Sequence, residues 1–184
     1  ASGMMGSDQF LDLKSVVDEL WQSFCEETDF LVEARSLEEF KRNNASCRFV
    51  DCPKPYPRLC TEHVVVMDYV DGIPIGQLDE LREAGYDLEE IGTKLVDNYT
   101  QQLLDDGFFH ADPHPGNLVV QEGKIVYLDL GLMGRLSAHD RGAIRDMVLA
   151  VAEHDSAALK DGLLRFAVSD VSGVDHPQLL QDLD

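Results

Sequence analysis

Apolar residues recur at helical spacing in several stretches of the chain. Phe10, Leu13, Val17, Leu20, Trp21 and Phe24 step by three and four, and Phe30, Leu31, Ala34, Leu37 and Phe40 mark a second stretch. Each set predicts an amphipathic helix with one buried stripe. Residues 78–84 read as a short helix ended near Gly85. Leu88, Ile91, Leu95, Tyr99 and Leu103 predict a longer one, capped by Asp87 and stopped at Asp106-Gly107. Ser137, with Asp140 in the first turn, opens another helix through Ile144, Met147, Val148 and Val151. Residues 159–166 and 177–183 continue in the same manner. Between the helices the period shortens. Residues 118–120 and 125–128 are apolar runs on either side of Gln121-Glu122-Gly123-Lys124, which predicts a hairpin. Residues 48–71 predict two strands, Phe49-Val50 and residues 64–70, around a turn made by Pro53-Lys54-Pro55-Tyr56-Pro57. The unbroken Val64-Val65-Val66-Met67 run is that of a buried strand.

The hairpin frames the most chemically loaded stretch. Phe109-His110-Ala111-Asp112-Pro113-His114-Pro115-Gly116-Asn117-Leu118 precedes it, and Asp129-Leu130-Gly131 follows it. Asn117 lies five positions after Asp112, the spacing of the catalytic loop of protein kinases, where the Asp receives the substrate proton and the Asn holds a metal ion. Mg²⁺ takes hard oxygen ligands and keeps several waters, so Asn117 and Asp129 suffice as its protein ligands, with phosphates supplying the rest. Asp112 then faces the acceptor oxygen. Pro113 and Pro115 stiffen the loop, and Gly116 lets the chain turn into Asn117. His110 is expected to be structural, its ring bonded to backbone, and His114 to lie beside the site.

Two other readings compete. The stretch can be a polar turn joining helix to strand. Alternatively, alternation along a strand would set His110, Asp112 and His114 on one face as a zinc site, giving a metallohydrolase, although the two prolines argue against a regular strand.

Composition narrows the partners. Lys and Arg total 15 against 35 Asp and Glu, a formal charge of −20, which repels nucleic acid and anionic headgroups. With 44% apolar residues, the 184-residue chain can bury a core. No apolar run approaches the roughly 20 residues that span a bilayer, and no signal peptide is recognisable. Cys25, Cys47, Cys52 and Cys60 form no Cys-x-x-Cys pair, so reduced thiols are expected. Residues 1–9 are small, Gly-containing and carry Met4-Met5, the look of an expression scar or a disordered terminus.

His110-Ala111-Asp112-Pro113-His114-Pro115-Gly116-Asn117, followed by Leu128-Asp129-Leu130-Gly131, resembles the signature of the UbiB family of atypical kinase-like proteins, the ADCK class in eukaryotes. Glu27-Thr28-Asp29-Phe30-Leu31-Val32-Glu33-Ala34 is similar to that family's Glu-x-Asp motif and the helix Glu beyond it. Val64 to Gly72 resembles its last N-lobe strand and hinge. The resemblance implies an α+β, protein-kinase-like fold with a truncated N-lobe over residues 10–72 and a mostly helical C-lobe over residues 73–184. It implies Mg²⁺ and ATP or ADP as cofactors, with ATPase or small-molecule kinase activity serving quinone biosynthesis or lipid homeostasis at a membrane. Asp112 matches the catalytic Asp, Asn117 and Asp129 the metal ligands, and Glu33 the partner of the nucleotide-binding lysine. Glu27 and Asp29 match the Glu-x-Asp pair, and Met67, Asp68, Tyr69 and Val70 the hinge against the nucleotide. The family's N-lobe lysine and its Lys-x-Gly-Gln segment have no counterpart here, so the chain reads as a fragment of weak activity. Such a cut lobe would expose apolar surface suited to dimerisation. A pseudokinase binding module is the non-catalytic alternative. The expected location is the cytoplasmic side, with membrane association through other regions, and a lipid or quinone precursor as partner.

Overall fold

The computed structural model describes Val17, residues 29–166 and residues 173–183. The helix expected from Phe10 to Phe24 falls, Val17 apart, outside the described residues, as do Cys25, Glu27 and residues 1–9. The chain forms two compact units, Ala1–Ile91 with Asp112–Met133, and Gly92–Ala111 with Gly134–Asp184. This division differs from the expected lobes because the hairpin after Asp112 carries strand partners from earlier in the chain.

In the first unit, α1 (Phe30–Asn43) starts at Asp29, whose Oδ1 accepts the Leu31 N–H at 2.9 Å. It ends where both the backbone and side-chain N–H of Asn44 reach the Phe40 carbonyl, each at 3.0 Å. Ala34, Leu37 and Phe40 of the expected stripe are buried, with Glu33 and Ser36 beside them, whereas Phe30 is exposed and Leu31 half-buried. Against it lies a four-stranded sheet in the order β1 (Val50–Asp51), β5 (Lys124–Tyr127), β4 (Leu118–Gln121), β2 (Ile73–Pro74). β1 pairs parallel with β5, and the other two pairings are antiparallel. The core is Leu37, Phe40, Leu118, Ile125 and Tyr127, with the Phe40 and Tyr127 rings 4.9 Å apart and tilted by 51°. Glu122 and Gly123 close the hairpin at φ 51° and 77°, the paired positive values that match strand twist. α2 (Leu78–Glu83) seats the fully buried Leu81.

Residues 64–70 do not form the continuous buried strand expected of them. They run antiparallel to the Pro53–Pro57 segment, not across a turn from it, with Tyr56 N–H donating to the Val66 carbonyl at 2.8 Å and Asp68 N–H to Lys54 at 3.0 Å. Pro53, Pro55 and Pro57 have no N–H, so the ladder breaks into isolated bridges. The turn is at Thr61 and Val64, which exchange backbone hydrogen bonds at 2.8 and 3.2 Å. Val64 is half exposed and Tyr69 is 88% exposed.

The long helix α3 (Leu88–Gln101) begins at Asp87, whose Oδ1 accepts from Glu89 and Glu90 N–H at 2.9 and 3.3 Å. It enters the second unit and finishes in a π-helical turn, Gln102–Asp106, before the left-handed Gly107. Its buried stripe differs from the expected one. Asn98 and Gln102 are buried, whereas Tyr99 and Leu103 are half-buried. Polar side chains can take these places because they bond each other: Gln102 Nε2 donates to Asn98 Oδ1 at 2.8 Å. β3 (Phe108–His110) pairs with β6 (Met133–Arg135). Helices α4 (Ala138–Ala152), α5 (Ser156–Arg165) and α6 (His176–Leu183) follow, α4 opened by the Ser137/Asp140 capping box. Arg141 and Arg145 of α4 donate to the carbonyls of Asp105 and Leu104, satisfying acceptors at the end of the π turn. No helix among the described residues is long and apolar enough to cross a membrane.

Two glycines give opposite expectations. A Cβ on Gly72 would meet Val119 Cγ2 at 2.7 Å and the Val120 carbonyl oxygen at 3.0 Å, whereas one on Gly92, inside α3, meets nothing within 4 Å. In urea unfolding, Gly72→Ala should therefore lose about 1–3 kcal/mol. Gly92→Ala should gain about 0.5–1 kcal/mol.

Candidate functional site

The loop after Ala111 is shaped by its own side chains. His114 N–H donates to the Asp112 carbonyl at 2.8 Å, Asn117 N–H to the His114 carbonyl at 3.0 Å, and Gly116 N–H to His114 Nδ1 at 2.9 Å. The imidazole folds so closely over the chain that a Cβ at residue 116 would lie 2.5 Å from its Cε1. Glycine at 116 leaves room for the ring, and Pro113 and Pro115 hold the φ angles on either side of His114. Asp112 and His114 are exposed.

The short 3-10 turn Pro115–Asn117 delivers Asn117 to the start of β4. Its carbonyl accepts the Leu128 N–H at 2.9 Å, one rung beyond the Leu118–Tyr127 pair. Asp129 follows immediately, so Asn117 and Asp129 stand at the same open end of the hairpin. Asp129 is exposed, with Oδ1 accepting the Gly131 N–H at 2.9 Å, while Leu130 between them is fully buried and anchors the turn. Glu33 reaches this turn from α1. It is buried, accepts the Leu130 N–H and lies close enough to Asp129 to feel its charge. Burial raises its pKa first and the Asp129 carboxylate raises it further, against the opposing pull of the Leu130 N–H.

The structure thus gathers Glu33, Asn117 and Asp129, with Asp112 on the loop leading into them. Asp29 is the cap of α1, one turn before Glu33. Glu27 lies outside the described residues. The expected hinge is not at this end of the hairpin. Asp68, Tyr69 and Val70 border a cavity of about 200 Å³ with Glu122 and Lys124, beside the hairpin turn, and Met67 bridges to Pro55. Asp68 also accepts the Tyr56 hydroxyl at 2.6 Å.

The alternation that would set His110, Asp112 and His114 on one face is overturned. His110 is 1% exposed at the end of β3, whereas Asp112 and His114 are exposed on the proline-stiffened loop. Among the described residues, no three His, Cys, Asp or Glu side chains are grouped to hold a metal ion. Both backbone groups of His110 are taken by side chains of the α3 segment: its N–H donates to Gln102 Oε1 at 3.0 Å, and the Tyr99 hydroxyl donates to its carbonyl at 2.9 Å. The sequence reading missed this clamp by assigning Tyr99 to an apolar stripe. Asn98 and Gln102, polar and four apart on one helix face, were the available signal. Cys47, Cys52 and Cys60 are free thiols, and burial pushes Cys52 up to about 12.

The raised pKa of Glu33 carries a stability consequence. The folded state holds its proton more tightly than the unfolded chain does. The favourable contribution is therefore present below the ordinary value of 4.5 and is lost as pH rises through the folded-state value. Glu33→Gln should unfold at higher urea concentration than the parent chain at pH 7, with the gain shrinking as the pH approaches 4.5.

Comparison with known proteins agrees with the motif. The family model of the ABC1 atypical kinase-like domain matches residues 3–163. A Clostridium pasteurianum protein from the 5′ region of hydrogenase 1 is 44% identical over 149 residues, covering 81% of this chain and 28% of its own length. The chloroplastic ACTIVITY OF BC1 COMPLEX KINASE 1 of Arabidopsis thaliana is 35% identical over 151 residues, covering 82% of this chain and 22% of its own. The chain therefore spans less than a third of the length of these relatives. Among solved structures, Rv3197 of Mycobacterium tuberculosis, solved with erythromycin, superposes with a TM-score of 0.60 over 83% of this chain and 39% of its own, at 20% identity. The α+β architecture is thus kinase-like, and the chain belongs to the ABC1 atypical kinase-like family, the UbiB type that its catalytic-loop motif resembles.

Proposed function

We propose that the open end of the β4–β5 hairpin binds a Mg²⁺-nucleotide and that the protein of which this chain is part transfers or hydrolyses its terminal phosphoryl group. The observation that carries the reading is the register that brings Asn117, opposite Leu128, and Asp129, the next residue, to the same open end of the hairpin, with Asp112 on the connecting loop. One carboxylate and one amide are the hard oxygen donors that Mg²⁺ accepts while keeping water and phosphate as its other ligands. Bound there, the ion would neutralise and orient the phosphates.

Each residue then has a defined task. Asn117 and Asp129 would hold the ion. The Asp112 carboxylate, exposed on the loop, would orient the acceptor hydroxyl or a water and take its proton. Glu33 keeps the Leu130 N–H engaged and so holds the turn that presents Asp129. The folded His114 ring fixes the loop between Asp112 and Asn117. Asp68 to Val70 border the cavity beside the hairpin turn and would face the base, with Met67 preceding them. The span from Leu132 to Ser137 leaves no room for the long activation segment with which kinases seat polypeptides, which favours a small-molecule acceptor. The UbiB resemblance alone points to a lipid or quinone precursor for that role.

Thermal unfolding with Mg²⁺-ADP tests the site directly. At a hundredfold excess over the dissociation constant, binding to the folded state should add about 2.7 kcal/mol, a shift of several degrees. Asp129→Ala should abolish the shift and Asp112→Asn should keep it, because Asp112 serves the acceptor. A shift from Zn²⁺ alone, with none from Mg²⁺-ADP, would overturn the reading.

A further inference from the structure

Sequence-distant cations converge beside α1. A cleft of about 450 Å³ lies between the end of that helix, the following loop and β5, and it is lined by Lys41, Arg48 and Lys124 with Asp51 as its one acidic residue. In a chain of net charge −20, this wall carries three positive charges against one negative, a formal surplus of two. None of Asp112, Asn117 and Asp129 lines it.

Asp51 organises the cations. Its Oδ1 lies 3.3 Å from Lys41 Nζ and accepts the Cys52 N–H at 2.9 Å, while Oδ2 accepts from Lys124 Nζ at 3.1 Å. Although burial works against its charge, these partners together hold the carboxyl below the usual range, so it stays ionised. One carboxylate thus anchors two ammonium groups and balances only one of them. Each ammonium has three donors. Both lysine side chains are nearly half exposed, 48% and 43%, so their heads remain within reach of a ligand in the cleft.

The remaining lining is mixed: Asn44 is polar, Ala45 and Cys47 are small, and Phe40, Val50 and Cys52 are almost wholly buried. A volume of this size falls in the range of small-molecule sites. A ligand matched to this cleft has a small body and a doubly charged head. A phosphate monoester fits better than a carboxylate, because its dianion matches the surplus and its three oxygens can take the guanidinium fork and two ammonium groups together.

We propose that this cleft is a second ligand site, for a small organic phosphate whose head is held by Lys41, Arg48 and Lys124. It needs no Mg²⁺ and lies apart from Asn117 and Asp129, and it shares Lys41, Asp51, Cys52 and Lys124 with the neighbouring cavity that Asp68 to Val70 border.

Calorimetric titration of the intact chain with phenyl phosphate, without Mg²⁺, tests it. Saturable one-site binding is expected, weakened about tenfold in Arg48→Ala and in Lys124→Ala. Arg82→Ala, which removes an exposed cation paired with Asp79 elsewhere, and Asp129→Ala should leave the dissociation constant unchanged. Benzoate should bind about tenfold more weakly than phenyl phosphate. Arg48 is exposed, so its variant remains informative if Lys124→Ala fails to fold. Absence of saturable binding would overturn the site, as would equal weakening in Arg82→Ala, loss in Asp129→Ala, or benzoate binding as tightly as phenyl phosphate.

Discussion

The register of the β4–β5 hairpin is the constraint on which the first unit depends. With Leu118 opposite Tyr127 and the turn at Glu122-Gly123, Asn117 bonds Leu128 one rung further on and Asp129 follows at the same end. A slip of one residue would exchange the two faces of the sheet and carry Tyr127 out of its contact with Phe40. Burial prevents that slip, since Leu118, Ile125 and Tyr127 are almost wholly enclosed. Packing of the hairpin on α1 and alignment of the candidate ligands are therefore one requirement. The same packing brings Glu33, on the helix that carries Phe40, to the turn after β5.

Buried polar groups set the local shape in each unit. Glu33 gives up solvent for one backbone N–H and a neighbouring carboxylate, an arrangement that a purely structural residue would not favour. Gln102 and Asn98 are satisfied by each other and by the His110 N–H. Removing Asn98 or Gln102 strands its partner without water, so these side chains specify a single arrangement of the backbone they hold. The first sets a buried carboxyl beside a candidate cation site, whereas the second is a network that pins a strand.

Charge divides the surface into regions of different use. A net charge of −20 makes polyanions poor partners for most of the molecule. Against that field, the convergence of Lys41, Arg48 and Lys124 on one cleft is local and depends on Asp51 to hold two like charges together. Family membership says nothing of this cleft. It speaks to the kinase-like fold and to the loop from His110 to Asn117, over a span that is less than a third of the relatives' length.

Much was legible from local order alone. Helical spacing located α1, α3, α4 and α5, and capping chemistry at Asp87 and Ser137 marked two helix starts, because these signals involve residues within a turn or two of one another. The proline–glycine loop and the hairpin likewise put Asn117 and Asp129 at the two ends of one hairpin from sequence order alone. The run at residues 64–70 misled for a tertiary reason: proline fills three of the five positions of its pairing partner, Pro53–Pro57, so it meets only a short ladder and stays partly exposed. Asn98 and Gln102 displaced the expected stripe because their partners, each other and His110, became available only on folding. Asp51 and Lys124 meet across 73 positions of sequence, so no periodicity records their contact. Sequence by itself determined the elements, their caps and the ligand-bearing loop, all properties of neighbouring residues. Only the tertiary structure decided which polar groups are buried, which cations share a carboxylate and which end of the hairpin Glu33 serves, because those depend on contacts that local order cannot encode.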